Sequence, residues 1–352
     1  MTPRGRHVAP LLALLLTACD RPPAPPPPSA PAATAPAAPS AAATEAAPAP
    51  SNVPRAATHR VTAVNTTGPQ WVLRDYAAAP EIDPAECAAP APRLLSAAPN
   101  LTELCCALGL RDALVGRTRY CTYPPDVATI PPVGALNDLN AEVLAGLKPE
   151  LVLVSGTSRA IRDRLMQLGL RFESLPDVGL DDLFASIRRL GELTGRHRTA
   201  AALAAALRAD LAVVTARYAA APPRRVLLLT GPLPDPPTQI DAAGPGSFYD
   251  DLLRLAGHRN AAAATARPFA PLGLEAVVAA DPDVIIELAP DHWARPGGDA
   301  DACRAWARVG RLRAVATRRV HVLVGPEHFL LGPRIAHTYA ALAGLVAEGR
   351  HD

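Results

Sequence analysis

Residues 197–218 carry helical periodicity with neither a proline nor a glycine, and the run lies between two stretches of strand–helix alternation. At ~1.5 Å per residue such a helix is roughly 33 Å long, comparable to the diameter of a small domain. An uninterrupted helix between two alternating stretches implies two similar α/β lobes with a rod between them.

Each flank has its own alternation. Before the rod, Arg93-Leu94-Leu95-Ser96-Ala97 reads as a short apolar strand, and Pro99-Asn100-Leu101-Thr102-Glu103 opens a helix. Asn100 or Thr102 is placed to cap that helix, with Glu103 in its positive first turn. Gly109 stops it. Leu114-Val115-Gly116 is a second strand, and 141–147 is a short helix ended by Lys148-Pro149. Leu151-Val152-Leu153-Val154 lacks polar alternation, as expected of a strand covered on both faces. A helix over 160–168 and a strand over 172–175 complete the set. Residues 183–193 form a helix leading into the rod. Beyond the rod, strands are expected at 226–229, 284–287 and 320–324, with helices at 247–256, 274–279 and 333–347. Strand–helix alternation of this kind packs as a parallel sheet between helices. The predicted fold class is α/β, with two Rossmann-like lobes, each with a parallel sheet, joined by one long rigid α-helix. The predicted boundaries are 59–180 for the first lobe, 181–221 for the helical linker and 222–352 for the second lobe. Residues 61–64 and 71–73 read as short strands of a hairpin.

The N-terminus is an address. Arg4 and Arg6 precede an apolar run over 8–16 that is too short to span a bilayer, the pattern of a secretion signal. The run ends in Leu16-Thr17-Ala18-Cys19, which resembles the lipobox of bacterial lipoproteins. That resemblance implies cleavage of residues 1–18, acylation of Cys19 and stable anchoring through several acyl chains. Asp20 resembles a retention signal for the inner membrane of Gram-negative bacteria. Residues 19–58 are dominated by Pro, Ala and Ser and cannot bury enough apolar surface to fold. They read as an extended tether, reaching as far as roughly 100 Å.

A formal net charge of +2 gives no case for nucleic acid, which calls for a concentrated basic face. Aromatic residues make up only 4% of the chain, so each one in a loop is informative. Without Cys19, the cysteines are Cys87, Cys105, Cys106, Cys121 and Cys303, an odd number that leaves one unpaired. Cys87 and Cys121 are candidates for a bridge, and Cys105 and Cys106 suit a helix core. There is no G-x-S-x-G elbow, P-loop or paired His/Glu metal motif, so the chain does not read as an enzyme.

Several segments then fall into one known order: Ser96-Ala97-Ala98-Pro99-Asn100-Leu101-Thr102-Glu103, Val115-Gly116-Arg117-Thr118-Arg119-Tyr120-Cys121-Thr122-Tyr123-Pro124-Pro125, Val133-Gly134, and Leu147-Lys148-Pro149-Glu150-Leu151. The second half adds Leu274-Glu275, Ala280-Asp281-Pro282-Asp283-Val284 and Gly332-Pro333-Arg334. Over roughly 93–347 the chain resembles the helical-backbone metal-receptor family, the periplasmic substrate-binding proteins for cobalamin, haem and ferric siderophores. The Tyr120–Pro125 stretch resembles the cobalamin binders most closely. The resemblance implies ligand held in a cleft between lobes, delivery to an ABC importer permease dimer, and a monomer on the periplasmic face of the membrane. It implies no cofactor of the protein's own. The transported ligand is cobalamin or a related corrinoid, with haem or a ferric siderophore as the alternative. A metallocofactor-handling enzyme and an anchored sensor are readings of other classes.

Large planar ligands are gripped by aromatic contact with few polar groups. The resemblance places Tyr120 and Phe269 at ligand-contact positions. Tyr123 is either a second contact or a packing residue. Trp293 is a wall candidate in a loop. Phe248 and Tyr249 suit core packing, with one of them a candidate for the cleft. His328 and Phe329 lie in a loop before the last helix. His328 reads as a solvated histidine more readily than as a metal ligand, since a lone histidine is weak evidence for a metal site. Leu136 and Asn137 stand where cobalamin binders carry an aromatic. Arg117, Arg119 and Arg334 are the arginines available to an anionic siderophore. Glu142 and Glu275 each begin a short helix, one per lobe, and the resemblance implies that they pair with arginines of a two-fold permease.

Overall fold

The computed structural model describes residues 73–78, 80–135, 138–156, 159–290 and 296–347. The leader, Cys19, the tether, the strand expected at 61–64 and residues 71–72 of the one expected at 71–73 lie outside these residues, as do Leu136, Asn137 and Trp293, while Leu73 is described and is not in a strand.

The first lobe contains α1 (Pro84–Cys87), β1 (Leu94–Ser96), α2 (Pro99–Ala107), β2 (Leu114–Arg117), β3 (Gly134–Ala135), β4 (Asp138–Leu139), α3 (Ala141–Leu147), β5 (Leu151–Ser155), α4 (Arg159–Gln167) and β6 (Phe172–Leu175). Its main sheet has the order β2-β1-β5-β6 and is wholly parallel. Leu94, Leu151 and Leu153 pack in one core, while Leu95, Val152 and Val154 pack in another on the opposite face. Burial on both faces is why these strands show no polar alternation.

Two helices follow, α5 (Leu180–Thr194) and α6 (His197–Tyr218), the latter with the bounds read from the sequence. Gly195 turns the chain between them at φ 70°, a left-handed conformation that costs glycine little. Gly191 permits their close approach, since a Cβ there would lie 2.6 Å from that of Ala200. By length and composition α6 is apolar enough to cross a membrane. It is a core helix instead, with Leu203, Leu207, Leu211 and Val214 buried in the same core as Leu153 and Ile286. One apolar core therefore runs from the first sheet through α6 into the second lobe, so the rod and both lobes fold together.

The second lobe contains β7 (Arg225–Leu229), β8 (Gln239–Ala243), α7 (Phe248–Leu255), β9 (Arg259–Asn260), β10 (Phe269–Gly273), α8 (Leu274–Ala280), β11 (Val284–Ala289), α9 (Gly298–Ala307), α10 (Arg313–Ala316), β12 (Val320–Val324) and α11 (Ile335–Ala347). Its sheet has the order β10-β8-β7-β11-β12, with β9 paired to β7. This corrects the all-parallel expectation: β8 runs antiparallel to β7 and to β10. Strands β8, β9 and β10 were absent from the sequence reading because Gln239-Ile240-Asp241-Ala242-Ala243 and Phe269-Ala270-Pro271-Leu272-Gly273 are poor in β-branched residues.

The lobes carry the same local device. α3 ends at Lys148 (φ 47°) followed by Pro149 and Glu150, and α8 ends at Asp281 (φ 40°) followed by Pro282 and Asp283. The Glu150 carboxylate accepts Arg93 N at 2.7 Å, and the Asp283 carboxylate accepts Arg225 N at 2.7 Å. In both lobes an acid after the proline thus clips the start of the lobe's first strand.

Two local expectations are corrected. Neither Asn100 nor Thr102 caps α2, whose first residue is Pro99 and whose N-cap is Ala98. Instead Asn100 donates to Ser155 Oγ at 3.2 Å and Thr102 to Ser96 Oγ at 2.8 Å, tying the helix to the strand ends. The five cysteines of the described residues are free thiols, Cys87 and Cys121 included. Cys121 instead lies 3.1 Å from Thr118 Oγ1.

The start of α6 has no side-chain cap of its own. Glu86, from α1, supplies it: its carboxylate accepts Arg198 N at 2.7 Å, Thr199 N at 3.0 Å and Thr199 Oγ1 at 2.9 Å. Burial would raise the acid's pKa, but these donors and the charge of Arg198 outweigh it and hold the group at about 2.

Candidate functional site

Among the described residues, direct contacts join the lobes on two sides. On one side Val178 O accepts Phe248 N at 2.7 Å, and Leu180 N donates to the Asp251 carboxylate at 2.7 Å. On the other, Glu103 of α2 meets Arg334, just before α11, in a bidentate ion pair (Nη2–Oε1 2.6 Å, Nε–Oε2 3.0 Å). Glu103 is fully buried, so burial raises its carboxyl pKa while the guanidinium opposes that shift. Such a pair is costly to break on one side.

The site residues expected from the sequence are arranged around this junction. Tyr123 is half-buried within it. Its hydroxyl donates to the Asp75 carboxylate, and the Arg334 guanidinium lies 4.1 Å from its ring centroid. Burial, then Asp75, raise the phenol pKa. Tyr120 sits in the turn just after β2, at the carboxyl end of the parallel sheet, where open α/β sheets bind ligands. It is 58% exposed, and its hydroxyl accepts from Arg119 Nη2 at 3.1 Å.

In the second lobe Phe269 opens β10 rather than lying in a loop, and it is 42% exposed. Its ring meets Tyr249 edge-on at 6.2 Å and lies 6.5 Å from Phe248. Phe248 and Tyr249 are both buried, in agreement with core packing. Tyr249 Oη donates to His328 O at 2.6 Å, so Phe269, Tyr249 and the turn holding His328 and Phe329 form one assembly. His328 is not the solvated loop histidine of the sequence reading. It is buried, its Nδ1 lies 3.2 Å from Thr338 Oγ1, and burial lowers its pKa. Phe329 packs partly buried against the shared core. No cluster of three metal-ligating side chains is present among the described residues.

The arginines weighed for an anionic ligand are engaged elsewhere. Arg117 is buried and donates to the carbonyls of Val127 (2.8 Å), Thr118 (3.1 Å) and Ala128 (3.3 Å). Arg334 serves Glu103. Arg119 lies over the Tyr120 ring, 5.1 Å from its centroid. The sequence reading missed the Glu103–Arg334–Tyr123–Asp75 junction. Its pairing spans 231 residues, and no local pattern encodes a partner at that distance.

Glu142 and Glu275 occupy equivalent places in the first turns of α3 and α8, and both are exposed. Asn140, not Glu142, caps α3, accepting Glu142 N at 3.0 Å and Val143 N at 3.1 Å. Neither glutamate makes an ion pair among the described residues.

Known proteins resemble this chain in sequence and in shape. A vitamin B12-binding protein of Salmonella choleraesuis is 29% identical over 198 residues, covering 56% of this chain and 72% of the relative. The uncharacterized ABC transporter substrate-binding lipoprotein YvrC of Bacillus subtilis is 30% identical over 202 residues, covering 55% of this chain and 62% of the relative. A periplasmic heme-binding protein from Pseudomonas aeruginosa superposes with a TM-score of 0.61 at 28% identity, over 74% of this chain and 95% of its own. The two-lobed architecture around α6 is thus a known one, shared with this heme-binding protein. The profile of the periplasmic binding protein family covers residues 95–325, so the chain belongs to that family.

Proposed function

We propose that the chain is the substrate-binding component of an ABC importer and captures cobalamin or a related corrinoid between its lobes. One observation carries the choice of ligand. The exposed aromatic side chains expected at the site, Tyr120 and Phe269, stand one on each lobe, while Arg117 and Arg334 are committed to internal partners. Such a surface suits a bulky ligand held by ring contact and does not suit a polyanionic chelate, which needs several free cations. The vitamin B12-binding relative supports the corrinoid reading. The Pseudomonas likeness supports haem as the second reading.

In this reading Tyr120 and Phe269 are the main contacts, with Tyr123, Trp293, His328 and Phe329 around them. Glu142 and Glu275 dock the loaded protein onto arginines of a permease dimer, one acid per half. Cleavage after residue 18 leaves Cys19 lipid-anchored, and 19–58 tether the binding region (59–180, 181–221 and 222–352) to the membrane. The protein acts as a monomer and has no resident cofactor.

Difference absorbance decides the ligand: the full chain titrated with cobalamin, and separately with haem, binds cobalamin stoichiometrically and more tightly. Failure to perturb either spectrum overturns the reading. Reversing both glutamates (Glu142→Arg with Glu275→Arg) abolishes uptake in cells and leaves ligand binding intact. Unimpaired uptake by that double variant refutes the docking role.

A further inference from the structure

Three polar side chains form a row across the carboxyl ends of the first lobe's strands. Asn100, at the start of α2, donates through Nδ2 to Ser155 Oγ at 3.2 Å. Ser155 closes β5, and its hydroxyl donates in turn to the Asp177 carboxylate (Oδ2) at 2.6 Å, just past β6. Strands β1, β5 and β6 are neighbours in the parallel sheet, so the row follows the edge at which open α/β sheets bind ligands. Tyr120 follows β2 on the same edge. Both ends of the row touch the other lobe. At one end Gly332 comes so close that a Cβ on it would lie 3.8 Å from Asn100 Cβ. At the other, the residue after Asp177 makes the crossing from Phe248 N to Val178 O at 2.7 Å. The Phe248 ring lies 6.5 Å from that of Phe269. The row therefore runs along the seam between the lobes, from the Glu103–Arg334 side to the side of the Phe269 assembly.

The fold does not use up this carboxylate. Asp182, not Asp177, accepts Val178 N at 3.0 Å and Gly179 N at 2.9 Å at the start of α5. Ser155 holds Oδ2 of Asp177, while Oδ1 has no hydrogen-bond partner and the group no ion pair among the described residues. The side chain is half-buried, so a ligand can reach it. Gly156 keeps the oxygen uncovered: its φ is 72°, and a Cβ there would lie 3.3 Å from Oδ1. An acid fixed on one oxygen and open on the other presents an acceptor that cannot also donate.

We propose that Asp177 is a specificity-determining residue of the cleft, accepting a hydrogen bond from a primary amide on the ligand's rim and rejecting a ligand whose rim carries carboxylates there. This rests on the reading that a corrinoid occupies the cleft. The two ligand readings differ in this chemistry: the corrin rim of cobalamin bears primary amides, which donate, whereas the porphyrin rim of haem bears propionate carboxylates, which only accept. A carboxylate that meets an amide N–H makes a charge-assisted bond, and one that meets a second carboxylate makes none and repels it. Ser155 acts as a positioning residue, because its hydroxyl fixes which oxygen of Asp177 is free.

Spectroscopic titration of the full chain with cobalamin, with haem and with the separated monocarboxylic acids of cobalamin, each with a single rim amide hydrolysed, tests this. The wild-type chain binds cobalamin, and it binds the monocarboxylic acid whose new carboxylate meets Asp177 about ten-fold more weakly, as loss of a charge-assisted hydrogen bond implies. Asp177→Asn binds cobalamin about five-fold more weakly than wild type, and binds that monocarboxylic acid and haem more tightly, since an amide can donate to a carboxylate. Asp112→Asn, at a side chain 96% exposed before β2 and so at the other end of the sheet, changes none of these affinities. Circular dichroism establishes that each variant is folded. If the wild type binds cobalamin and Asp177→Asn has the same affinity as wild type for every ligand, the inference is overturned and the corrinoid reading stands. If the wild type binds no cobalamin, that reading falls and takes the inference with it.

Discussion

Glu86 is a remote cap on the helix that joins the lobes, and its removal can be worked through in numbers. The carboxylate serves two backbone N–H groups and one hydroxyl at the start of α6. Glu86→Ala withdraws a cap, costing about 1 kcal/mol. It also strands the donors of Thr199, which is 1% exposed, at about 1–2 kcal/mol more. Linkage gives an independent ceiling. A carboxyl pKa displaced from 4.5 to about 2 corresponds to roughly 3 kcal/mol. The neighbouring Arg198 side chain is 67% exposed, so solvent screens its share and about 2 kcal/mol is the better figure. Because the folded-state pKa is depressed, the stabilisation is fully present above pH 4.5 and is lost as pH falls toward 2. Urea denaturation of wild type and Glu86→Gln at a series of pH values reads this directly. The expected gap is about 1–2 kcal/mol at pH 7, closing between about pH 5 and pH 2. No gap at pH 7, or one that is the same at pH 7 and pH 3, refutes the reasoning.

Other outcomes follow from the junction and the exposed rings. Arg334→Leu leaves Glu103 buried without a partner and costs about 3–5 kcal/mol, whereas Glu103→Leu combined with Arg334→Leu recovers most of the loss; chemical denaturation of the three chains checks this. Tyr120→Ala and Phe269→Ala each weaken cobalamin binding about ten-fold with little change in thermal midpoint, since both side chains are exposed, and a spectroscopic titration measures it. Tyr123→Phe removes the bond to Asp75 but keeps the ring under Arg334, so its stability falls by only about 1 kcal/mol.

Much of the fold was legible because its signals are local. The bounds of α6 follow from an unbroken period with glycine before it and prolines beyond it. Strands β5 and β11 announce themselves as apolar runs, for they are covered on both faces. Strand β8 does not, since its residues alternate weakly and its partners lie in β7 and β10. Among the site residues, Tyr120 and Phe269 are exposed side chains, which an aromatic-poor chain makes conspicuous. His328 was misjudged because burial there comes from Tyr249 and Thr338, whose approach only the tertiary fold creates. Glu103 was read as a first-turn acid for the same reason, when its role is to hold Arg334.

The apolar core that passes from one sheet through α6 to the other has a mechanical consequence. A hinge-bending protein keeps its halves as separate cooperative units, so that each melts alone and each can be expressed alone. Here Leu207 and Val214 belong to both neighbourhoods, and cutting the chain on either side of the rod would lay bare a strip of leucine and valine. The two lobes should therefore melt in a single transition, and motion between them should be confined to the few degrees that a packed interior allows without coming apart.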